Sequence, residues 1–79
     1  MDRADMLMKI KEGIQDVFPE ALNLELNEAM VLESIPGWDS MAAVNLQIYL
    51  ENAFGVAIPG EMLTGDTRIE DILEHIQGG

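Results

Sequence analysis

This chain offers few places where chemistry can happen. It has one histidine, His75, no cysteine, and a serine set conspicuously in the run Gly37-Trp38-Asp39-Ser40-Met41. A serine nucleophile needs a base within hydrogen-bond reach and a third group to orient that base. His75 is the sole histidine candidate, far along the chain, and there is no Gly-x-Ser-x-Gly elbow. Hydrolytic chemistry is therefore set aside. Two readings of Ser40 remain. Asp and Ser are favoured helix caps, so the pair can simply start a helix. Alternatively, the hydroxyl is presented for another protein to modify. The free N–H groups and positive dipole end of a helix N-terminus favour an attached phosphate. The dipole contributes about 0.3–1 kcal/mol, enough to help hold such a group but not to select it.

Metal chemistry has no foothold either. Without cysteine there is no thiolate zinc site and no disulfide framework. The Asp-x-[Asp/Asn]-x-[Asp/Asn]-Gly run of a calcium loop is missing. No metal site is expected. The terminal Gly78-Gly79 reads as a frayed end, because the β-rich fold of ubiquitin-like modifiers has no counterpart in this pattern.

The elements that must position Ser40 are helices. From Arg3 to Phe18, apolar residues at Leu7, Ile10, Ile14, Val17 and Phe18 keep helical spacing. Pro19 ends that helix. Gly13 in its middle costs about 1 kcal/mol relative to alanine, so the helix must lean on packing. Between Glu20 and Trp38 the alternation of Leu22, Leu24 and Leu26 hints at a strand with nothing to pair with, and an isolated strand is not viable. A long loop is expected instead, pinned by Leu22, Leu26, Val31, Leu32 and Ile35, with Pro36-Gly37 as its last turn. Trp38 is expected to anchor that loop, and a loop of this length in a small domain is often functional.

Asp39 or Ser40 opens the second helix, which runs to about Phe54, with Gly55 just past its end. Ala43, Leu46, Leu50 and Phe54 form one stripe; Met41, Val44 and Ile48 form a second beside it. Gly60 to Leu63 allows one helical turn. Thr67 with Glu70 predicts a capping box for a last helix whose inner face is Ile69, Ile72, Leu73 and Ile76. His75 is expected to be solvated near that helix's end. The fold class is all-α: a small antiparallel bundle of three main helices plus one short helix, with a long first loop.

Composition bounds the partners. At 79 residues the chain is one domain spanning 1–79, and 48% hydrophobic content argues for a globular core. The net charge is −11, with no Lys or Arg between Glu12 and Thr67. Such a surface repels nucleic acid and anionic membranes and steers basic protein surfaces toward itself. No targeting segment or membrane span is visible, so a cytoplasmic monomer is expected.

The stretch GWDSMAAVNLQIYLENAFGVAIP, followed by the last helix, resembles the acyl carrier proteins. Their signature is Asp-Ser-Leu at the start of the second helix, closing on a phenylalanine, a glycine and Ile-Pro. Here Asp39-Ser40-Met41 is followed in step by Val44, Leu46, Leu50, Glu51, Phe54, Gly55, Ile58 and Pro59. The resemblance covers essentially the whole chain, including its size and acidity.

What the resemblance implies is specific. A phosphopantetheinyl transferase, using coenzyme A and magnesium, would join 4′-phosphopantetheine to Ser40. Asp39 would cap the helix and take part in transferase recognition. The chain itself would not be an enzyme, and its thiol would arrive on the arm. Met41, Val44, Ile48 and Glu51 would dock acyl-transferring or condensing enzymes with basic surfaces, although Met41, Val44 and Ile48 read equally well as core. Leu46, Leu50, Phe54, Ile58, Met62, Leu63, Ile69, Ile72 and Leu73 would line an acyl chain, although core packing explains them as well. Fatty-acid-synthase carriers usually load the exposed face of this helix with acid. Here it reads Ala42, Asn45, Asn52 and Ala53. That departure, with Trp38, points to a dedicated polyketide, lipid-modifying or aminoacyl system. An aminoacyl (D-alanyl-type) carrier and an unmodified acidic docking module are the alternatives.

Overall fold

The computed structural model describes residues 2–78, so Gly79 of the expected frayed end lies outside the described residues. Helix α1 spans Arg3–Val17, with the Asp2 carboxylate accepting the Asp5 N–H at 2.9 Å as its cap. Phe18 closes it by donating its N–H to the Ile14 carbonyl, and Pro19 turns the chain into a 3₁₀ segment, Pro19–Asn23. Helix α2 spans Ser40–Phe54 and α3 spans Ile69–Gly78; single 3₁₀ turns occur at Leu32–Ser34 and Gly60–Met62. Gly78 belongs to the last turn of α3. The fold is an all-helical bundle, and among the described residues the only β-type pairing is one antiparallel bridge between Val31 and Arg68. Among the described residues no helix is long and apolar enough to cross a membrane.

One continuous core holds the helices together. Ile10 and Ile14 of α1, Leu46 and Leu50 of α2, and Ile69, Ile72 and Leu73 of α3 are all fully buried. α1 packs against both α2 and α3. The radius of gyration, 11.1 Å, is close to the ~12 Å expected for a compact chain of this length. Gly13 explains its own presence: a Cβ there would lie 2.5 Å from Tyr49 Cδ1. The absent side chain is what lets α1 meet the tyrosine of α2.

The first loop differs from expectation at one residue. Leu22 is exposed, and Ala21 takes the buried position, because the 3₁₀ turn after Pro19 rotates Leu22 outward. Leu26, Leu32 and Ile35 pin the loop as expected, with Val31 half-buried. The start of α3 also differs. Thr67 and Glu70 do not form a capping box; the Asp71 carboxylate accepts the Arg68 N–H at 3.0 Å, one residue later. Thr67 is buried and its hydroxyl pairs with that of Thr64. The first amides of α3 are met by the first loop: Ile69 N–H donates to the Met30 carbonyl and Glu70 N–H to the Glu28 carbonyl.

Candidate functional site

Gly37, at φ +85°, makes the turn that delivers Trp38 to the bundle. The Trp38 ring stacks on Phe18 with centroids 5.7 Å apart and 23° between planes. That contact ties the end of the first loop to the end of α1 and sets where α2 begins. Asp39 is extended, and its Oδ1 accepts the Ala42 N–H at 2.7 Å while its carbonyl accepts the Ala43 N–H. The carboxylate satisfies one of the donors that every helix start leaves open. Gly55, at φ +67°, closes the other end by donating to the Glu51 carbonyl.

Ser40 is therefore the first residue of α2, and it is exposed. The amides of Ser40 and Met41 are among those that helix geometry leaves without an intrahelical acceptor. Beside the serine lies an open groove of about 320 Å³ between α2 and the turn around residues 60–65. Trp38 and Ser40 stand with Ala43, Val44 and Gln47 on one side, and Leu63 and Thr64 on the other; no charged side chain borders it. An exposed hydroxyl at a helix start, beside a groove of mixed polar and apolar character, suits a phosphate-linked flexible arm. His75 does not border the groove beside Ser40; its Nε2–H donates to the Ala57 carbonyl at 2.9 Å. That bond also corrects the expectation of a solvated histidine: it is half-buried and fastens α3 to the link after α2. Among the described residues no cluster of three or more His, Cys, Asp or Glu is arranged to hold a metal.

The expected docking residues divide. Met41 is 76% exposed, and Val44 and Ile48 are each 52% exposed, forming an apolar strip that continues from Ser40 along α2. Glu51 does not join that strip as a free acid. It is half-buried, and its carboxylate accepts the Ile58 N–H at 2.9 Å. Of the residues expected around an acyl chain, Leu46, Leu50, Ile58, Ile69, Ile72 and Leu73 are packed in the common core, with Phe54 and Met62 half-buried against it. Leu63 is buried and also borders the groove beside Ser40. Sequence reasoning passed over Gln47. Its side-chain amide donates to the Ile58 carbonyl and forms part of the groove wall. Only its place one turn before Glu51 could have drawn notice.

Comparison with known proteins adds an independent line. Residues 12–76 match the family model described as the phosphopantetheine attachment site. An acyl carrier protein of Helicobacter pylori (strain G27) is 34% identical over 74 residues, covering 89% of this chain and 94% of its own length. An acyl carrier protein of Rubrobacter xylanophilus is 33% identical over 76 residues, covering 96% of this chain and 93% of its own. No solved structure gives a significant match. With the helical bundle, the serine at the start of α2 and these matches taken together, the chain belongs to the acyl carrier protein family.

Proposed function

We propose that this chain carries acyl groups as thioesters on a 4′-phosphopantetheine arm joined to Ser40, within a single carrier domain spanning residues 1–79. The observation that carries the reading is Ser40 itself: exposed, first in α2, capped by Asp39, and inside the region that matches the attachment-site family. The arm supplies the thiol, which accounts for a carrier without cysteine. The protein's own residues present and orient. Asp39 holds the first turn of α2 so that the Ser40 hydroxyl stands clear of the bundle, and a separate phosphopantetheinyl transferase performs the attachment. Incubation with coenzyme A, magnesium and a broad-specificity transferase should add one phosphopantetheine by intact mass. Ser40→Ala should gain none while keeping its helical circular dichroism. A wild-type chain that gains no mass would leave an acidic docking module as the better account.

The surface of α2 supports service in a dedicated pathway rather than in primary fatty-acid synthesis. Asn45 and Asn52 are exposed and Ala42 and Ala53 half-buried where acidic partners for a basic enzyme surface would stand. The apolar strip of Met41, Val44 and Ile48 would then take a larger share of docking. Each exposed ion pair contributes about 0.2–1 kcal/mol, so three or four missing pairs weaken encounter roughly ten- to a hundredfold. The malonyl-loaded protein should be a poor substrate for a general fatty-acid elongation system. Ala42→Asp, Asn45→Glu and Asn52→Glu together should restore much of the rate at low salt, through faster association. Wild-type elongation equal to that of a primary fatty-acid carrier would refute the assignment.

A further inference from the structure

Gln47 and Glu51 stand one turn apart on α2 and both grip the same residue. The Gln47 amide donates to the Ile58 carbonyl, and the Glu51 carboxylate accepts the Ile58 N–H. Both backbone groups of Ile58 are thus held by side chains of one helix, much as a neighbouring strand would hold them. The Ile58 side chain is 1% exposed and sits in the core with Leu46 and Leu50. Just beyond it, Gly60, Leu63 and Thr64 border the groove that begins at Ser40.

Gln47 belongs to both features. It lies seven residues past Ser40, about 10 Å along the helix at 1.5 Å per residue, and from α2 only Ala43 and Val44 line the groove between them. An acyl group at the end of a flexible arm on Ser40, entering this groove toward the core, meets small and aliphatic side chains and then a half-buried amide already bonded to Ile58. Going further means separating that amide from its acceptor and leaving both unpaired against alkyl carbon, which is unfavourable. The cost of separation is fixed, whereas the gain from burying alkyl surface grows with every methylene. Those two dependences define a threshold length.

We propose that Gln47 is a specificity-determining residue for the tethered cargo. Bonded to Ile58, it keeps short acyl groups out of the core, and only chains above the threshold displace it and enter. The inference rests on the reading of Ser40 as the attachment site. It is tested on the holo protein loaded with a series of straight-chain acyl groups from acetyl upward. Each form is measured for its rise in melting temperature over the unacylated holo form, for Trp38 fluorescence, and for the Gln47 side-chain amide signal by NMR. In the wild type the melting temperature should stay flat for short chains and rise beyond one length. The Gln47 signal should move at that same length. Gln47→Leu should bring the onset to a shorter chain, and Gln47→Met, of matching length but without a donor, should do the same if the leucine variant folds poorly. Glu51→Ala, which weakens the hold on Ile58 but keeps the amide in place, should leave the onset nearer the wild-type length. A merely structural glutamine would lower the melting temperature of every form equally and leave the onset unmoved, which overturns the proposal. Intact mass reports loading separately. A chain that takes no arm refutes the attachment reading and this inference with it, whereas a loaded series with unmoved onset refutes this inference alone.

Discussion

Replacing Gly13 with alanine probes how closely α1 and α2 approach. Two effects of opposite sign compete. In a helix interior, alanine is favoured over glycine by about 0.8–1.0 kcal/mol. The added methyl, however, would lie 2.5 Å from Tyr49 Cδ1 and 2.6 Å from Cε1. Carbon atoms in good contact stand about 3.5–4.0 Å apart, so the ring or the helix must give way by roughly 1 Å. Forced overpacking of this kind costs about 1–3 kcal/mol. The net effect in the wild type is therefore a loss of up to about 2 kcal/mol, and each kcal/mol lowers the melting temperature of a domain this size by roughly 4–8 °C. In a Tyr49→Ala background the obstacle is gone and only the helix preference remains. There Gly13→Ala should stabilise by about 1 kcal/mol. Urea unfolding of the four chains, followed by circular dichroism, closes a double-mutant cycle whose coupling should be about 1–3 kcal/mol. If Gly13→Ala raises the stability of both backgrounds by the same amount, glycine is not required by the contact with Tyr49 and the packing argument fails.

Two further outcomes follow from the charge and the caps. Asp39→Ala removes the acceptor for the Ala42 N–H and should cost about 1 kcal/mol; Asp39→Asn keeps an acceptor and should change stability little, so an equal loss in both would mean that the cap geometry contributes nothing. The span from Glu12 to Thr67 without a Lys or Arg should make the fold salt-sensitive, because the screening length shrinks to about 10 Å at 0.1 M. The melting temperature should rise from low to moderate sodium chloride, and a flat response would mean that the carboxylates are too dispersed to matter.

Signals that act within a few residues of chain are legible in the sequence itself. The bounds of α2 follow from Asp39 and Gly55, and the end of α1 follows from Pro19, because caps and breakers work locally. Trp38 is readable as an anchor, but its partner Phe18 is not, since the bundle brings the two rings together. The cap of α3 lies one residue later than the sequence pattern predicts, for a tertiary reason. The Thr67 hydroxyl pairs with Thr64 and its carbonyl accepts the Leu32 N–H, so the cap passes to Arg68 and Asp71. Glu51 carries the same lesson for the candidate site. A glutamate on a helix face reads as solvent-facing until the link that follows the helix folds back and offers it an N–H.

The two carbonyls of the first loop that meet the opening amides of α3 bear on the order in which the chain folds. A helix of ten residues is well below the roughly 12–15 at which an isolated helix becomes even marginal in water. Two amides of its first turn find their acceptors some forty positions upstream, so α3 is expected to form once that loop has settled on the bundle. The carboxyl-terminal helix should then form late, and this small domain should fold more slowly than a bundle joined by tight local turns. Melting of the loop and of α3 should be a single step in hydrogen exchange, since neither can keep its backbone satisfied alone. A protease cut within the first loop would accordingly unravel a helix at the far end of the sequence.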